Sequence, residues 1–339
     1  MKKVIIIIII ALSCCRMNAQ TLTGTVYDKI TNQPIPDVYV YLDGTTINVI
    51  TNNAGRFELT VKNILNTKLV LYHISYQTVI IENPFEHLPE KIFMEERLNM
   101  LTEVSIQADR FTREQKLKAF KEQFLGTTQA GRSCKIQNED DIRIWFNVQT
   151  KTLMASSDHP IEVINEYLGY KILFTLVDFR VAYSYVSLNR EYARQSFFAV
   201  TTSYTDLNPN DRRIKRRRDE IYDRSSTFFF KNLANNTLNE SGFSIFKGGF
   251  PVDHSLYFTT KDTLPLKIIR LIPERGSINT ATPPRFSLLY RRRQSDIIFY
   301  TDAFLVDQYG NIDQIDRVMF SGLMGQNRAG DMLPLEYEP

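Results

Sequence analysis

The sequence predicts a mainly β protein with two folded domains, a β-sandwich followed by an α+β domain with an antiparallel sheet and one long helix. The chain has 339 residues, of which 43% are hydrophobic, and this is enough for about two packed cores. Short runs rich in Val, Ile, Tyr and Phe recur about every ten residues between turn-forming residues, a spacing typical of antiparallel sheets. The longest purely apolar run, residues 4–12, is shorter than the ~20 residues of a membrane-spanning helix, which excludes a multi-span membrane protein.

Residues 1–19 have the arrangement of a secretory signal peptide. Lys2 and Lys3 precede the apolar run, and Ala19 precedes a polar segment, as at a signal peptidase site. We therefore expect cleavage after Ala19 and export to the periplasm or the outer membrane.

Two alternatives to ordinary cleavage stay open. Residues 12–15 loosely resemble a lipobox, although Cys14 stands where a small residue is usual, so Cys15 is a candidate for lipidation. An uncleaved N-terminal anchor is the other alternative. In each case Cys134 is the single cysteine outside the leader, so we expect a buried thiol and no internal disulfide.

The net charge also changes when the leader is removed. The chain carries 41 Lys and Arg against 38 Asp and Glu, a formal charge of +3. Lys2, Lys3 and Arg16 lie in the leader, so the remaining chain has 38 basic and 38 acidic residues. A neutral exported protein is not expected to bind nucleic acid through its overall charge.

The first domain, residues 20–107, reads as seven or eight short strands. Pro34 and Pro36 exclude a helix between the first two strands, and Asp43-Gly44 is a hairpin signal because a tight turn needs positive φ. Strands are predicted at residues 22–28, 38–42, 45–51, 56–61, 68–74, 78–81, 91–94 and 103–106.

A set of turn and core residues in this domain carries a family resemblance. The set is Gly24, Asp28, Pro34, Pro36, Gly44, Asn52, Gly55 and Phe57. It resembles the carboxypeptidase regulatory-like domain, and the resemblance covers about a quarter of the chain. It implies a transthyretin-like β-sandwich without catalytic activity. Residues 101–106 resemble the end of this domain in TonB-dependent outer-membrane receptors, but ~230 residues follow, too few for a 22-stranded barrel.

The second half begins with a linking helix over residues 108–125 and continues as an α+β domain over residues 126–339. Asn208-Pro209 predicts the start of a long helix that extends to about residue 239. The order of Phe124-Leu125-Gly126, Leu168-Gly169-Tyr170 and Leu333-Pro334 is similar to that in uncharacterised envelope proteins, a resemblance that implies no activity. Strands are predicted at residues 142–148, 151–155, 170–178, 180–188, 196–202, 243–246, 256–259, 266–271, 286–291, 297–302, 304–307 and 314–320.

Two basic clusters are candidates for binding an anion such as a phosphate-rich glycan or a lipid headgroup. On a helix, Lys215 can pair with Asp219 and Arg216 with Glu220, so a solvated, salt-bridged face is the alternative interpretation. The second cluster is expected to place alternate arginines outward on an exposed strand. The candidate anion-binding residues are Arg212, Arg213, Lys215, Arg216, Arg217, Arg218, Arg291, Arg292 and Arg293.

The sequence indicates no cofactor, no metal and no catalytic residue. His87 and Glu90 have an H-x-x-E spacing inside the sandwich domain, but a zinc site needs further ligands. Phosphate-binding loops and nucleophile elbows are absent from the sequence. A carboxylate pair for glycoside hydrolysis could come from Asp302, Asp307, Asp313 and Asp316.

The sequence therefore favours a non-catalytic, exported cell-envelope protein that acts as an interaction or scaffold module. Its expected partner is an envelope protein or a glycan, with association to the outer membrane. The alternative is an envelope hydrolase, a peptidase or a glycosidase, with its site in the second domain.

Overall fold

The computed structural model describes residues 20–97, 110–263, 265–273 and 282–339, and this part of the chain is mainly β, as predicted. The α-helices are α1 (Arg113–Phe124), α2 (Gln129–Arg132), α3 (Arg212–Tyr222) and α4 (Ser226–Ala234). The strands of the first half are β1 (Gln20–Asp28), β2 (Tyr39–Leu42), β3 (Asn48–Ile50), β4 (Arg56–Val61), β5 (Leu69–Tyr72), β6 (Val79–Ile81), β7 (Lys91–Met94), β8 (Cys134–Ile136), β9 (Ile142–Asn147), β10 (Thr152–Ser157), β11 (Ile161–Asn165), β12 (Tyr170–Tyr183) and β13 (Ala193–Asp206). The remaining strands are β14 (Phe243–Lys247), β15 (Phe250–Val252), β16 (Phe258–Asp262), β17 (Lys267–Leu271), β18 (Arg285–Tyr290), β19 (Arg293–Phe299), β20 (Ala303–Val306) and β21 (Val318–Gly322).

The N-terminal domain is a sandwich of two sheets, ordered β4-β1-β7 and β3-β2-β5-β6. Strict alternation in β4 buries Phe57, Leu59 and Val61 against the facing sheet, as the period of two requires. β1 is antiparallel to β4 and parallel to β7. The first seven predicted strands are confirmed, and the eighth, at residues 103–106, lies outside the described residues.

The middle of the chain forms a sheet ordered β8-β11-β12-β10-β9, with β13 paired to β12. The pattern predicted two strands over residues 170–188, but the structure has one 14-residue strand, β12, with a register shift between Leu176 and Asp178. A bulge of this kind lets one strand continue while it bends. Helix α1 covers the sheet with Phe120 and Phe124, which are fully buried.

The C-terminal part forms two sheets, ordered β15-β14-β18-β19-β21 and β16-β17-β20. They pack around Phe229 and Phe230 of α4, which contact Phe243 and Phe304. The sequence did not predict β8, β11 and β15, which are short strands of three, five and three residues.

The single long helix predicted for residues 211–239 is wrong, because the structure has two shorter helices. Helix α3 begins after Asp211, whose carboxylate accepts hydrogen bonds from the N–H groups of Arg213 and Ile214. Helix α4 begins after Ser225, whose hydroxyl accepts from the N–H of Phe228. A serine that caps a helix N-terminus within the predicted helical segment starts a new helix. The first of the two helices is capped by Asp211 and not, as predicted, by Asn208.

Buried apolar side chains form three clusters in the described residues. The N-terminal core fills the sandwich, the middle core lies between α1 and the β8–β13 sheet, and the third core surrounds α4. The region predicted as one α+β domain, residues 126–339, thus contributes to all three cores, since Tyr309 is part of the N-terminal one, and the domain boundaries remain a prediction.

The N-terminal domain contacts the middle sheet through the loop between β2 and β3. Gly44 N–H donates to the carbonyl of Thr202 at 2.7 Å, and Tyr204 N–H donates to that of Thr45 at 2.9 Å. The Asp43 carboxylate accepts a hydrogen bond from Thr202 N–H at 2.7 Å. These bonds extend the middle sheet by one parallel bridge, Thr45 to Ser203, so the loop joins the two domains.

The last eleven residues, 329–339, contribute Ala329 to the middle core and pack Leu335 against the N-terminal core, and we call them the C-terminal strap. Gly330 N–H donates to the Leu125 carbonyl in the middle domain. Leu335 N–H donates to the Gly44 carbonyl, and the Glu336 carboxylate accepts from the N–H and hydroxyl of Thr46 at 2.6 Å each. The strap therefore ties the N-terminal domain to the rest of the chain.

Candidate binding groove

A groove lies where the middle core meets the third core, and we call it the arginine groove. It consists of two adjoining cavities of about 320 and 300 Å³, which share Glu220, Arg224, Arg293 and Leu323. The larger cavity is also lined by Thr128, Gln129, Ala130, Tyr167, Ile221, Gln326, Asn327 and Asp331. Clefts between packed units are the usual places for ligand sites.

A tight hairpin turn positions the second arginine cluster at this groove. Arg291 and Arg292 form the two-residue turn between β18 and β19, and both have positive φ, 46° and 64°. The prediction of outward arginines along an exposed strand is therefore wrong for these two residues. The Arg291 guanidinium pairs with Asp223 at 3.0 Å, which fixes the turn to the end of α3 and brings Arg293 to the same cavity as Arg224.

The two acidic groups of the groove already have partners. Glu220 pairs with Arg216 at 3.3 Å. The Asp331 carboxylate accepts hydrogen bonds from the Thr128 hydroxyl at 2.6 Å and from the Arg328 N–H at 3.2 Å. Burial raises the pKa of Asp331 above the usual range of a carboxyl group because the charged form loses solvation.

The two groove arginines, in contrast, form no ion pair in the described part of the chain, although the positive charge of Arg224 acts to lower the pKa of Asp331, against the larger effect of burial. Arg224 donates from Nε to the Glu220 carbonyl at 2.9 Å, which leaves the outer nitrogens of the guanidinium without a bond. Arg293 is exposed. Arg224 was not among the candidates predicted from the sequence, since its place in the same cavity as Arg293 depends on the break between α3 and α4.

Arg218 does not belong among the candidate anion-binding residues. It is 5% exposed and forms a bidentate ion pair with Asp206 at 2.7 and 2.8 Å. It also donates to the Leu168 carbonyl and stacks over the Tyr170 ring at 3.8 Å. An external anion cannot reach a guanidinium that is buried and fully bonded, so its role is structural.

The other residues of the first basic cluster lie on the outer face of α3. Lys215 pairs with Asp219 at 3.1 Å, and Arg217 stacks over the Tyr167 ring at 4.6 Å. Arg212, Arg213 and Arg216 are exposed. The structure thus brings Arg291 and Arg293 to the groove, whereas Arg292 and the predicted residues of the first cluster do not line its cavities.

The motif residues of the N-terminal domain have structural roles. Gly24 lies opposite Phe57, and an added Cβ would come within 2.9 Å of that ring. The Asp28 carboxylate accepts from the N–H of Thr31, and Asn52 accepts from Arg56. Gly44 and Gly55 have positive φ, Pro34 bridges to Tyr27, and Pro36 is exposed.

The carboxylates considered for hydrolysis do not form a free pair. Asp307 is buried and accepts hydrogen bonds from the N–H groups of its own loop, residues 309–311, at 2.9 Å each. Asp313 accepts from Leu305 N–H, while Asp302 and Asp316 are exposed. The residues that the sequence placed in a hairpin loop, 307–311, do form that loop.

The remaining candidate chemistry is limited to single side chains. His87 and Glu90 are both exposed, and the described residues contain no cluster of His, Cys, Asp and Glu that could hold a metal ion. Burial raises the pKa of the Cys134 thiol to about 12, so the thiol stays protonated and unreactive. Across the described ranges, no helix has the length and apolar character needed to cross a membrane.

Comparison with known families identifies the N-terminal domain. Residues 22–106 match the family described as CarboxypepD_reg-like domain, which confirms the resemblance predicted for this part of the chain. No curated protein matches the sequence.

Proposed function

We propose that this chain is an exported cell-envelope protein that acts as a non-catalytic interaction module. The observation that carries the proposal is that the buried carboxylates serve as hydrogen-bond acceptors within the fold. Asp43, Asp307 and Asp331 each accept hydrogen bonds from backbone N–H groups, so they hold loops and domain junctions. Asp43 and Asp307 also line neither cavity of the arginine groove, so they are not placed to act as the acid and base of a hydrolase there.

Export is supported by the leader-like residues 1–19. The CarboxypepD_reg-like domain supports an interaction role, because its motif residues form turns and core contacts. Outer-membrane association, through lipidation of Cys15 or through a partner, is part of the proposal.

The test is recovery of the full chain from envelope extracts with a tag after Pro339, which is exposed. We expect the envelope fraction to contain the protein without residues 1–19, or with an acylated Cys15, as read by intact mass. A partner protein or a glycan should be retained, and a panel of peptides and oligosaccharides should not be cleaved. Uncleaved protein in the cytosol, or turnover of the panel, would contradict the proposal.

A hydrolase remains the second candidate because Glu220 and Asp331 line the same cavity and burial raises the pKa of Asp331. Glycosidases use two carboxyl groups, one of them with a raised pKa. Turnover of an oligosaccharide that is lost in Asp331→Asn and Glu220→Gln, but kept in the exposed control Glu166→Gln, would establish this alternative. We expect no turnover in any of these proteins.

A further inference from the structure

We propose that the arginine groove binds an acidic saccharide, a sugar that carries carboxylate or phosphate groups. The inference deepens the proposed function and rests on it, since an exported protein meets the glycans of the envelope. The recognition element is the pair Arg224 and Arg293, which line both cavities of the groove.

The first argument is charge. Of the three arginines that line the groove, Arg291 pairs with Asp223. Arg224 and Arg293 form no ion pair among the described residues. Two guanidinium groups in one concave site attract an oxyanion more strongly than the same groups on a flat surface, because the surrounding protein excludes water. A guanidinium also matches a carboxylate or phosphate with two parallel hydrogen bonds.

The second argument is the rest of the lining. Gln129, Gln326 and Asn327 line the larger cavity, and amide side chains offer both donors and acceptors to sugar hydroxyl groups. Tyr167 and Tyr290 line one cavity each, but Arg217 stacks over the Tyr167 ring and the Tyr290 ring stacks on Phe243. The amide side chains and the arginines therefore carry the recognition. Cavities of about 320 and 300 Å³ are at the lower end of ligand sites, the size of a short saccharide.

The third argument is rigidity. The turn that carries Arg291 is held by Asp223, and Asp331 at the opposite wall is held by Thr128. Side chains fixed before binding lose less conformational entropy when the ligand arrives. The groove is therefore preorganised and does not require a loop to close over the ligand.

The experiment is calorimetric titration of the full chain with three probes. Trigalacturonic acid carries carboxylates, mannose 6-phosphate carries a phosphate, and maltotriose is neutral. We expect one or both acidic probes to bind and maltotriose to bind at least tenfold more weakly. The variants Arg224→Gln and Arg293→Gln should each lower the affinity about tenfold, since a hydrogen bond to a charged group is lost. Arg213→Gln, an exposed arginine of α3 away from the groove, is the matched control and should bind like the unchanged protein.

Several results would overturn the inference. Equal binding of maltotriose would show that charge is not recognised, and equal weakening by Arg213→Gln would show a non-specific surface effect. Retention on vesicles of anionic phospholipid that depends on Arg224 and Arg293, without saccharide binding, would assign the groove to a lipid headgroup.

Failure of this inference is distinguishable from failure of the proposed function. If no probe binds the unchanged protein, or if the groove variants bind the probes as tightly as the unchanged protein does, while the chain still recovers an envelope partner, only the saccharide site is wrong. If the probes are hydrolysed, the site stands and the non-catalytic function is wrong.

Discussion

Replacing Asp43 by asparagine should change how the stability of this protein depends on pH. Burial raises the pKa of Asp43 from 3.8 to about 6, even though the carboxylate accepts a hydrogen bond from Thr202 N–H. Because the folded-state pKa lies above the unfolded one, the folded state binds the proton more tightly. The stabilisation from this proton is complete below about pH 4 and is lost as the pH rises through about 6.

The size of the effect follows from the shift in pKa. About two units at ~1.4 kcal/mol each give a ceiling of about 3 kcal/mol between pH 4 and pH 7. In Asp43→Asn the amide oxygen can still accept from Thr202 N–H, and no charge is buried. The variant should therefore match the unchanged protein near pH 4 and exceed its free energy of unfolding by up to about 3 kcal/mol at pH 7.

The assay is urea unfolding of both proteins at steps of half a pH unit. Asp158→Asn is the matched control, because the Asp158 side chain is 60% exposed, and its difference from the unchanged protein should not vary in this window. The reasoning is refuted if the difference for Asp43→Asn is constant from pH 4 to pH 7, or if that variant is the less stable protein at pH 7.

Three further predictions concern structural contacts. Arg218→Met leaves Asp206 without its ion-pair partner and should lower the free energy of unfolding by about 3–5 kcal/mol, whereas Arg213→Met should change it by less than about 0.5 kcal/mol; urea unfolding measures both. Gly310→Ala would place a Cβ 2.1 Å from a backbone oxygen at positive φ and should cost about 2–4 kcal/mol. Gly248→Ala, also at positive φ but with nothing within 4 Å, should cost only about 1 kcal/mol, and equal losses of melting temperature would contradict the steric argument. Deleting residues 332–339 removes five of the strap's hydrogen bonds and should cost about 5 kcal/mol at ~1 kcal/mol each. Hydrogen exchange that is no faster at the amide of Thr46, which donates to Glu336, would argue against the strap.

Most of the strands could be predicted from local patterns. The period-two alternation of residues 56–61 and the turn at Asn52–Gly55 depend on neighbours a few residues away, and the structure has both. Prediction was less successful where local signals conflict. Residues 211–239 have enough helical periodicity for one helix, but Ser225 caps a second helix and divides the segment.

Only part of the candidate site could be recognised from the sequence. The run Arg291–Arg293 was recognisable as a basic cluster, but its turn conformation and its approach to α3 were not. Arg218 and Arg224 are similar in sequence context, yet one is buried in a bidentate ion pair and the other lines the groove. The different burial of the two arginines depends on which side chains pack against another core, and short-range sequence patterns do not contain that information.

The sequence by itself determined the mainly β class, the N-terminal family and the residues that form its turns, because these depend on short-range periodicity and backbone preference. Only the tertiary structure decided that Asp43 and Gly44 join the N-terminal domain to β13, and that the strap packs against both the middle and the N-terminal cores. The same holds for the arginine groove, which lies between cores. Contacts of this kind join residues separated by more than a hundred positions, so they arise from the packing of whole surfaces.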